Sequence, residues 1–254
     1  MNNTDSISLT VKIFNSREEL GYDAAVEAGK SLRNFLNSKD VVNVIFAAAP
    51  SQNEFLKYLI EEKGIDWGRV NAFHMDEYIG LHKDAPQGFG NFLRMQIFDK
   101  LPFASVNYIN GQAEDPAKEC ERYEQLLVRY PVDVVCMGIG ENGHIAFNDP
   151  PVADFEDKKR IKVVDLDKVC RQQQVNDGCF LSFYDVPEKA FTLTIPTLMS
   201  ASKIFCVVPG ERKAEAVANT LIQKRTNQYP STILRTHNSV VIYLDKQSSQ
   251  LLSL

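Results

Sequence analysis

The stretch that most constrains this chain is Val134-Val135-Cys136-Met137-Gly138-Ile139-Gly140-Glu141-Asn142-Gly143-His144-Ile145-Ala146-Phe147-Asn148-Asp149-Pro150-Pro151. An apolar run of strand type ends in a glycine-punctuated turn, which lets the backbone take positive φ and approach a ligand closely. The turn carries an imidazole, His144, among amides and carboxylates, and histidine is the side chain suited to moving protons near neutral pH. Pro150 and Pro151 then stop any helix or central strand and throw the chain into a loop. In an open α/β sheet, ligands sit at the ends of strands. The stretch is therefore a candidate active-site floor, although on these residues alone it reads equally well as a structural turn with a structural histidine.

What surrounds it alternates. Val11–Phe14 reads as a strand, and Ser16-Arg17-Glu18-Glu19 as a capping box that opens a helix with Leu20, Ala24, Ala28, Leu32 and Phe35 on one face. Val41–Ala47 is nearly continuous apolar and reads as a strand buried on both faces. It exits through Ala48-Ala49-Pro50-Ser51-Gln52-Asn53-Glu54, where Ser51 and Glu54 form a second capping box. A helix start after a central strand suits phosphate, while the plainer reading of the local sequence is that Ser51 simply caps its helix. Arg69–Met75 is the next strand, and it runs straight into Asp76-Glu77-Tyr78. Either acidic residue can serve as a general base at that strand end, or both can be solvated loop charges. His74, inside the strand, reads as a supporting histidine. Asn91–Lys100 and Asp115–Tyr130 read as helices around a short strand at Val106–Ile109.

The pattern resumes with strands at Ala190–Ile195, Lys203–Val208 and Val240–Leu244. Together these imply an α/β fold with a doubly wound, mostly parallel, Rossmann-like sheet and helices on both faces. Segment 152–188 breaks the pattern: it is charged at Asp154–Arg160 and rich in amides and donors at Cys170–Asn176, which makes it a candidate lid. Lys213, near a helix start after Pro209-Gly210, opposes the helix dipole, and an anion held between them would explain its place.

A chain of 254 residues can form one large domain or two small ones; with no repeat, linker or low-complexity tract, one domain over 1–254 is expected. A net charge of −5 gives no general attraction to nucleic acid or to anionic membrane, and no apolar run is long enough to span a bilayer. Met1-Asn2-Asn3-Thr4-Asp5 lacks the basic and apolar regions of a secretory signal. Five widely spaced cysteines with no Cys-x-x-Cys argue against a disulfide scaffold or a structural metal and fit a reducing cytoplasm.

With Met75-Asp76-Glu77-Tyr78 and Gly138–Pro150 both in hand, the chain resembles the glucosamine-6-phosphate deaminase/isomerase family, from its first helix to its last strand. Related 6-phosphogluconolactonases share the Gly-x-Gly…Gly-His turn, but Tyr78 and Phe147-Asn148-Asp149-Pro150 favour the deaminase branch. The resemblance implies conversion of glucosamine 6-phosphate and water into fructose 6-phosphate and ammonia, without metal or organic cofactor. It gives Asp76 the proton shuttle between C2 and C1, His144 the ring opening, and Asn142 and Asp149 the holding of the imidazole. Phosphate would meet Ser51, with Gln52 and Gly140 adjoining, together with Lys213 and Arg171 from the lid. It implies a phosphorylated amino sugar as partner and leaves self-association open, since members occur as monomers and hexamers. The chain departs from the family where Asn142 and Asp149 replace the more usual Asp and Glu. It departs again at Ala47–Gln52, where many members carry glycine and threonine. Those departures keep a galactosamine-6-phosphate deaminase, a lactonase-like hydrolase and a non-catalytic sugar-phosphate sensor in view.

Overall fold

The computed structural model describes residues 9–252, so the amino-terminal stretch read above as lacking a signal lies outside it. Strands are β1 (Leu9–Phe14), β2 (Val42–Phe46), β3 (Val70–His74), β4 (Asp76–Tyr78), β5 (Ser105–Asn107), β6 (Val134–Met137), β7 (Ile161–Asp165), β8 (Lys189–Leu193), β9 (Lys203–Val208) and β10 (Val240–Asp245). Helices are α1 (Arg17–Ser38), α2 (Asn53–Leu59), α3 (Phe89–Leu93), α4 (Pro116–Arg129), α5 (Lys168–Asn176), α6 (Ile195–Met199) and α7 (Ala214–Ile222). None of the described helices is long and apolar enough to cross a membrane.

Seven strands form one parallel sheet in the order β1-β10-β9-β6-β2-β3-β5. Strands β2, β3, β6 and β10 are buried at every position, as expected of a sheet covered on both faces. Chain order runs outward in opposite directions from the β2–β6 pair. The carboxyl ends of these two strands are therefore the switch point at which such sheets open a crevice.

Helix α1 begins at Ser16, whose hydroxyl accepts from the Glu19 amide at 3.2 Å, while the Glu19 carboxylate takes the amide of Asn15 at 2.9 Å. The expected box at Ser51 is absent. Glu54 instead grips Arg17 of α1 through two bonds of 3.1 and 2.9 Å, and α2 starts from a tight turn, Pro50–Gln52, with no side-chain cap. Close packing of α1 on α2 explains this, because Gly21 lets Glu54 sit where a Cβ would meet it at 2.5 Å.

One expectation is corrected in detail. The run at Ala190–Ile195 does not join the parallel sheet; β8 centres a separate antiparallel sheet in the order β4-β8-β7. Asp76 thereby lies opposite Thr192 on a strand. Thr192 Oγ1 accepts from the Phe147 amide at 3.0 Å, and Asn148, fully buried, donates to the carbonyls of Ile145 (2.9 Å) and Leu193 (2.8 Å). This small sheet fixes the Asp76 strand relative to the loop that carries His144.

Candidate active site

The switch point opens into a cleft whose lining includes the β2 exit (Ala47–Ala49, Ser51, Gln52), Asp76, the β6 turn with Gly140 and His144, Gln173 and Gln174 of α5, and Lys213.

His144 is held from below. Its Nδ1 lies 2.7 Å from Asn142 Oδ1 and 3.0 Å from Asp149 Oδ1. Both are acceptors, so Nδ1 carries the proton and Nε2 keeps a free lone pair in the neutral ring. The Asn142 amide orientation follows from its partners: Oδ1 also accepts the His144 amide at 3.1 Å, and Nδ2 donates to Asp149 Oδ1 at 2.9 Å. Burial works to raise the Asp149 carboxyl, but the facing imidazole and the Asn142 amide hold it below the usual range. The ring lies directly over Gly140, where a Cβ would come within 2.1 to 2.4 Å of three ring atoms. Gly143 closes the turn at φ 83°, and Ala146 beside it takes φ 48°, a conformation rarely adopted by a residue with a side chain.

Asp76 stands apart from this network. Its carboxyl forms no hydrogen bond or ion pair among the described residues, and burial, then the charge of Glu77, raises it well above the ordinary range. Alternation along β4 sends Glu77 the other way, to accept the amides of Tyr78, Phe89 and Gly90 at 2.8 to 3.0 Å and so hold the start of α3. Of the acidic pair, only Asp76 faces the cleft. His74 supports it: Nε2 accepts the Ile109 amide at 2.9 Å, so Nδ1 is the protonated nitrogen that donates to the Asp76 carbonyl at 2.9 Å. Burial lowers His74 to about 4, which keeps this strut neutral. Tyr78, Phe89 and Phe147 cluster behind the site with ring centroids 4.8 to 5.4 Å apart, making the surroundings apolar.

At the other end of the cleft, Gln52 Nε2 donates to Ser51 Oγ and to the Val207 carbonyl, both at 3.2 Å. Lys213 sits in the turn leading into α7, more than nine-tenths buried, without a side-chain bond or ion pair among the described residues, and desolvation lowers it. Arg171 is not there. Its guanidinium donates to the carbonyls of Phe183 (3.1 Å) and Val186 (2.7 Å) and stacks on the Phe183 ring, so it fastens segment 152–188 to itself. The register of α5 turns Gln173 and Gln174 to the cleft instead, with Gln173 Oε1 accepting the Glu141 amide at 2.8 Å.

The chain as a whole has known relatives. The family model described as glucosamine-6-phosphate isomerases/6-phosphogluconolactonase matches residues 15–243. The chain belongs to that family. Within it, a glucosamine-6-phosphate deaminase of Exiguobacterium sp. is 35% identical over 93% of this chain and 88% of its own. One of Streptococcus sanguinis is 34% identical over 89% and 95%. A solved monomeric glucosamine-6-phosphate deaminase superposes with a TM-score of 0.87 at 28% identity, covering 96% of this chain and all of that one. A 6-phosphogluconolactonase of Thermotoga maritima shares the fold at a TM-score of 0.77 and 17% identity.

Of the residues at the site, Gln173, Gln174 and Cys170 are not singled out by sequence reasoning. Gln174 lay inside an amide-rich run whose helical register was unknown. Cys170, on the same helix, has its sulfur within 4.8 Å of donor atoms of both His144 and Asp149. This trio is a set that a soft divalent ion can use. Burial and the Asp149 charge push the Cys170 thiol up, so it keeps its proton here.

Proposed function

We propose that the chain is a glucosamine-6-phosphate deaminase, a single domain in which segment 152–188 acts as lid, working in the cytoplasm on a phosphorylated amino sugar. The observation that carries this is Asp76: a buried carboxyl without a protein partner, on the same cleft as an imidazole whose free nitrogen is fixed by Asn142 and Asp149. His144 opens the sugar ring by moving a proton at the ring oxygen. Asp76 takes the proton from C2 of the open chain and returns it at C1, which leaves an imine at C2. Water adds to that carbon and ammonia leaves. Asp149 supplies the charge that steadies the imidazolium, since Asn142 contributes only its amide dipole.

The test is ammonia release from glucosamine 6-phosphate, with galactosamine 6-phosphate run beside it. Release from the first is expected, and Asp76→Asn should lower kcat by three or more orders of magnitude while leaving binding largely intact. Release only from the second would move the specificity. Silence from both, or unchanged turnover in Asp76→Asn, would overturn the assignment.

A further inference from the structure

Helix α5 buries Cys170, Gln173 and Gln174 along one face, and the Gln173 bond to the Glu141 amide presses that face onto the turn that carries His144. The two glutamines line the cleft; Cys170 does not, and its sulfur lies within 4.8 Å of donor atoms of both His144 and Asp149. Among the described residues, no other three histidine, cysteine or carboxylate donors gather this closely. All three members are more than nine-tenths buried, so this is a packed cluster and not a chance meeting of surface groups.

The donor atoms are open in the right places. Asp149 Oδ1 is 3.0 Å from His144 Nδ1, and Asn142 Oδ1 is 2.7 Å from the same nitrogen. The second carboxylate oxygen, Asp149 Oδ2, is buried and makes no hydrogen bond of ordinary geometry among the described residues, with the Cys170 thiol and the Asp167 amide beside the carboxylate. A buried carboxylate oxygen without a donor is costly, and a cation satisfies it. Zinc takes sulfur at about 2.3 Å and nitrogen or oxygen at about 2.0–2.2 Å in a tetrahedron, which sets ligand atoms roughly 3.4–3.6 Å apart. The cluster stands within about 1 Å of those spacings. Carboxylate and thiolate together carry two negative charges, which a divalent ion neutralises in a dry site. Asn142, uncharged where an aspartate would add a third, keeps that balance.

We propose that His144 Nδ1, Asp149 Oδ2 and Cys170 Sγ, with Asn142 Oδ1 as fourth ligand, form an inhibitory site for zinc or a similar soft divalent ion directly behind the imidazole. Binding sends the Cys170 thiol proton to solvent and moves the imidazole proton from Nδ1 to Nε2, with no other bond made or broken. The nitrogen that faces the cleft then has no lone pair, and the ring cannot become an imidazolium while Nδ1 holds the ion. Asp149 spends its charge on the metal at the same time. The site itself rests on the donor geometry; its effect on turnover rests on the deaminase reading above.

The test titrates the full chain with Co²⁺ and with Zn²⁺ in buffer free of chelator and added thiol. Cobalt should bind at one ion per chain, with the intense visible bands of a tetrahedral site and a near-ultraviolet cobalt–thiolate band. Cys170→Ser should lose the thiolate band and weaken binding by at least about 100-fold, no less than the loss of an outer partner costs a metal site. Cys170→Ala should do the same without a buried hydroxyl, and a circular dichroism spectrum matching the parent shows that both variants fold. Zinc added before the sugar should abolish ammonia release from glucosamine 6-phosphate, a chelator should restore it, and Cys170→Ser should turn over normally and resist the ion. A thiolate band that survives in Cys170→Ser puts the metal on another cysteine and overturns the inference. So does a six-coordinate cobalt spectrum with no thiolate band, or zinc inhibition that Cys170→Ser leaves unchanged. The cobalt spectra need no turnover, so the metal site and the deaminase assignment fail separately.

Discussion

A carboxyl group set in an apolar rim with no donor from the protein resists ionisation, and Asp76 is such a group. Its folded pKa lies above the unfolded value of about 3.9. Below that value both states are protonated and the group is neutral to stability. As pH rises, the unfolded chain ionises freely while the folded one does not, so stability is lost up to the raised value. Asp76→Asn should therefore gain about 1 kcal/mol or more at pH 7, roughly 2–4 °C in Tm for a chain of this size, and nothing near pH 3.5. Thermal melts across that range check it; equal gains at both ends would remove the carboxyl charge as the cause. As a base, Asp76 must be ionised, so kcat/KM should fall on acidification at a pH above the ordinary carboxylate range. Gly140→Ala sets a methyl within 2.4 Å of the His144 ring, and the ring has to move. A displacement of that size should cost about 100-fold in kcat with the circular dichroism spectrum unchanged. Sequence reasoning picks out Asp76 from the acidic end of one strand and Asn142, His144 and Asp149 from a single turn, and the structure brings Asp76 and His144 to one cleft with Asn142 and Asp149 on the imidazole. It left Asp76 and Glu77 undivided, since alternation says only that they face opposite ways; pairing of β4 with β8 decides which way.

At the scale of elements, segment 152–188 is tied together by its own bonds. Arg171 spans from α5 to the carbonyls of Phe183 and Val186, the role nearest to hand for a guanidinium that cannot reach the cleft. Arg171→Ala should make the 177–188 segment cleave several-fold faster under limited proteolysis and raise KM. The pH profile of kcat should keep its shape, because Asp76 and His144 are untouched; a shifted profile would place Arg171 nearer the chemistry. The strand-and-helix alternation was readable wherever apolar runs were long, as at β2, β6, β9 and β10. It failed at Ser51–Glu54, where local capping chemistry was outbid by Arg17 on another helix, and at β8, whose apolar run does not say which sheet it joins.

For the molecule as a whole, the cleft is lined from the exits of β2, β6 and β9, from the small sheet and from α5. Position on the parallel sheet follows from the alternation; the lining of the cleft by Gln173 and Gln174 in place of Arg171 does not, because it depends on which side chains long-range packing turns inward. Among the described residues, the one strand partner of β1 is β10, at the other extreme of the described chain. A ribosome making this chain releases β1 well before β10, and until β10 emerges β1 stays unpaired and partly apolar. A delay before β10 leaves two open edges, those of β9 and β1, free to find each other in neighbouring chains.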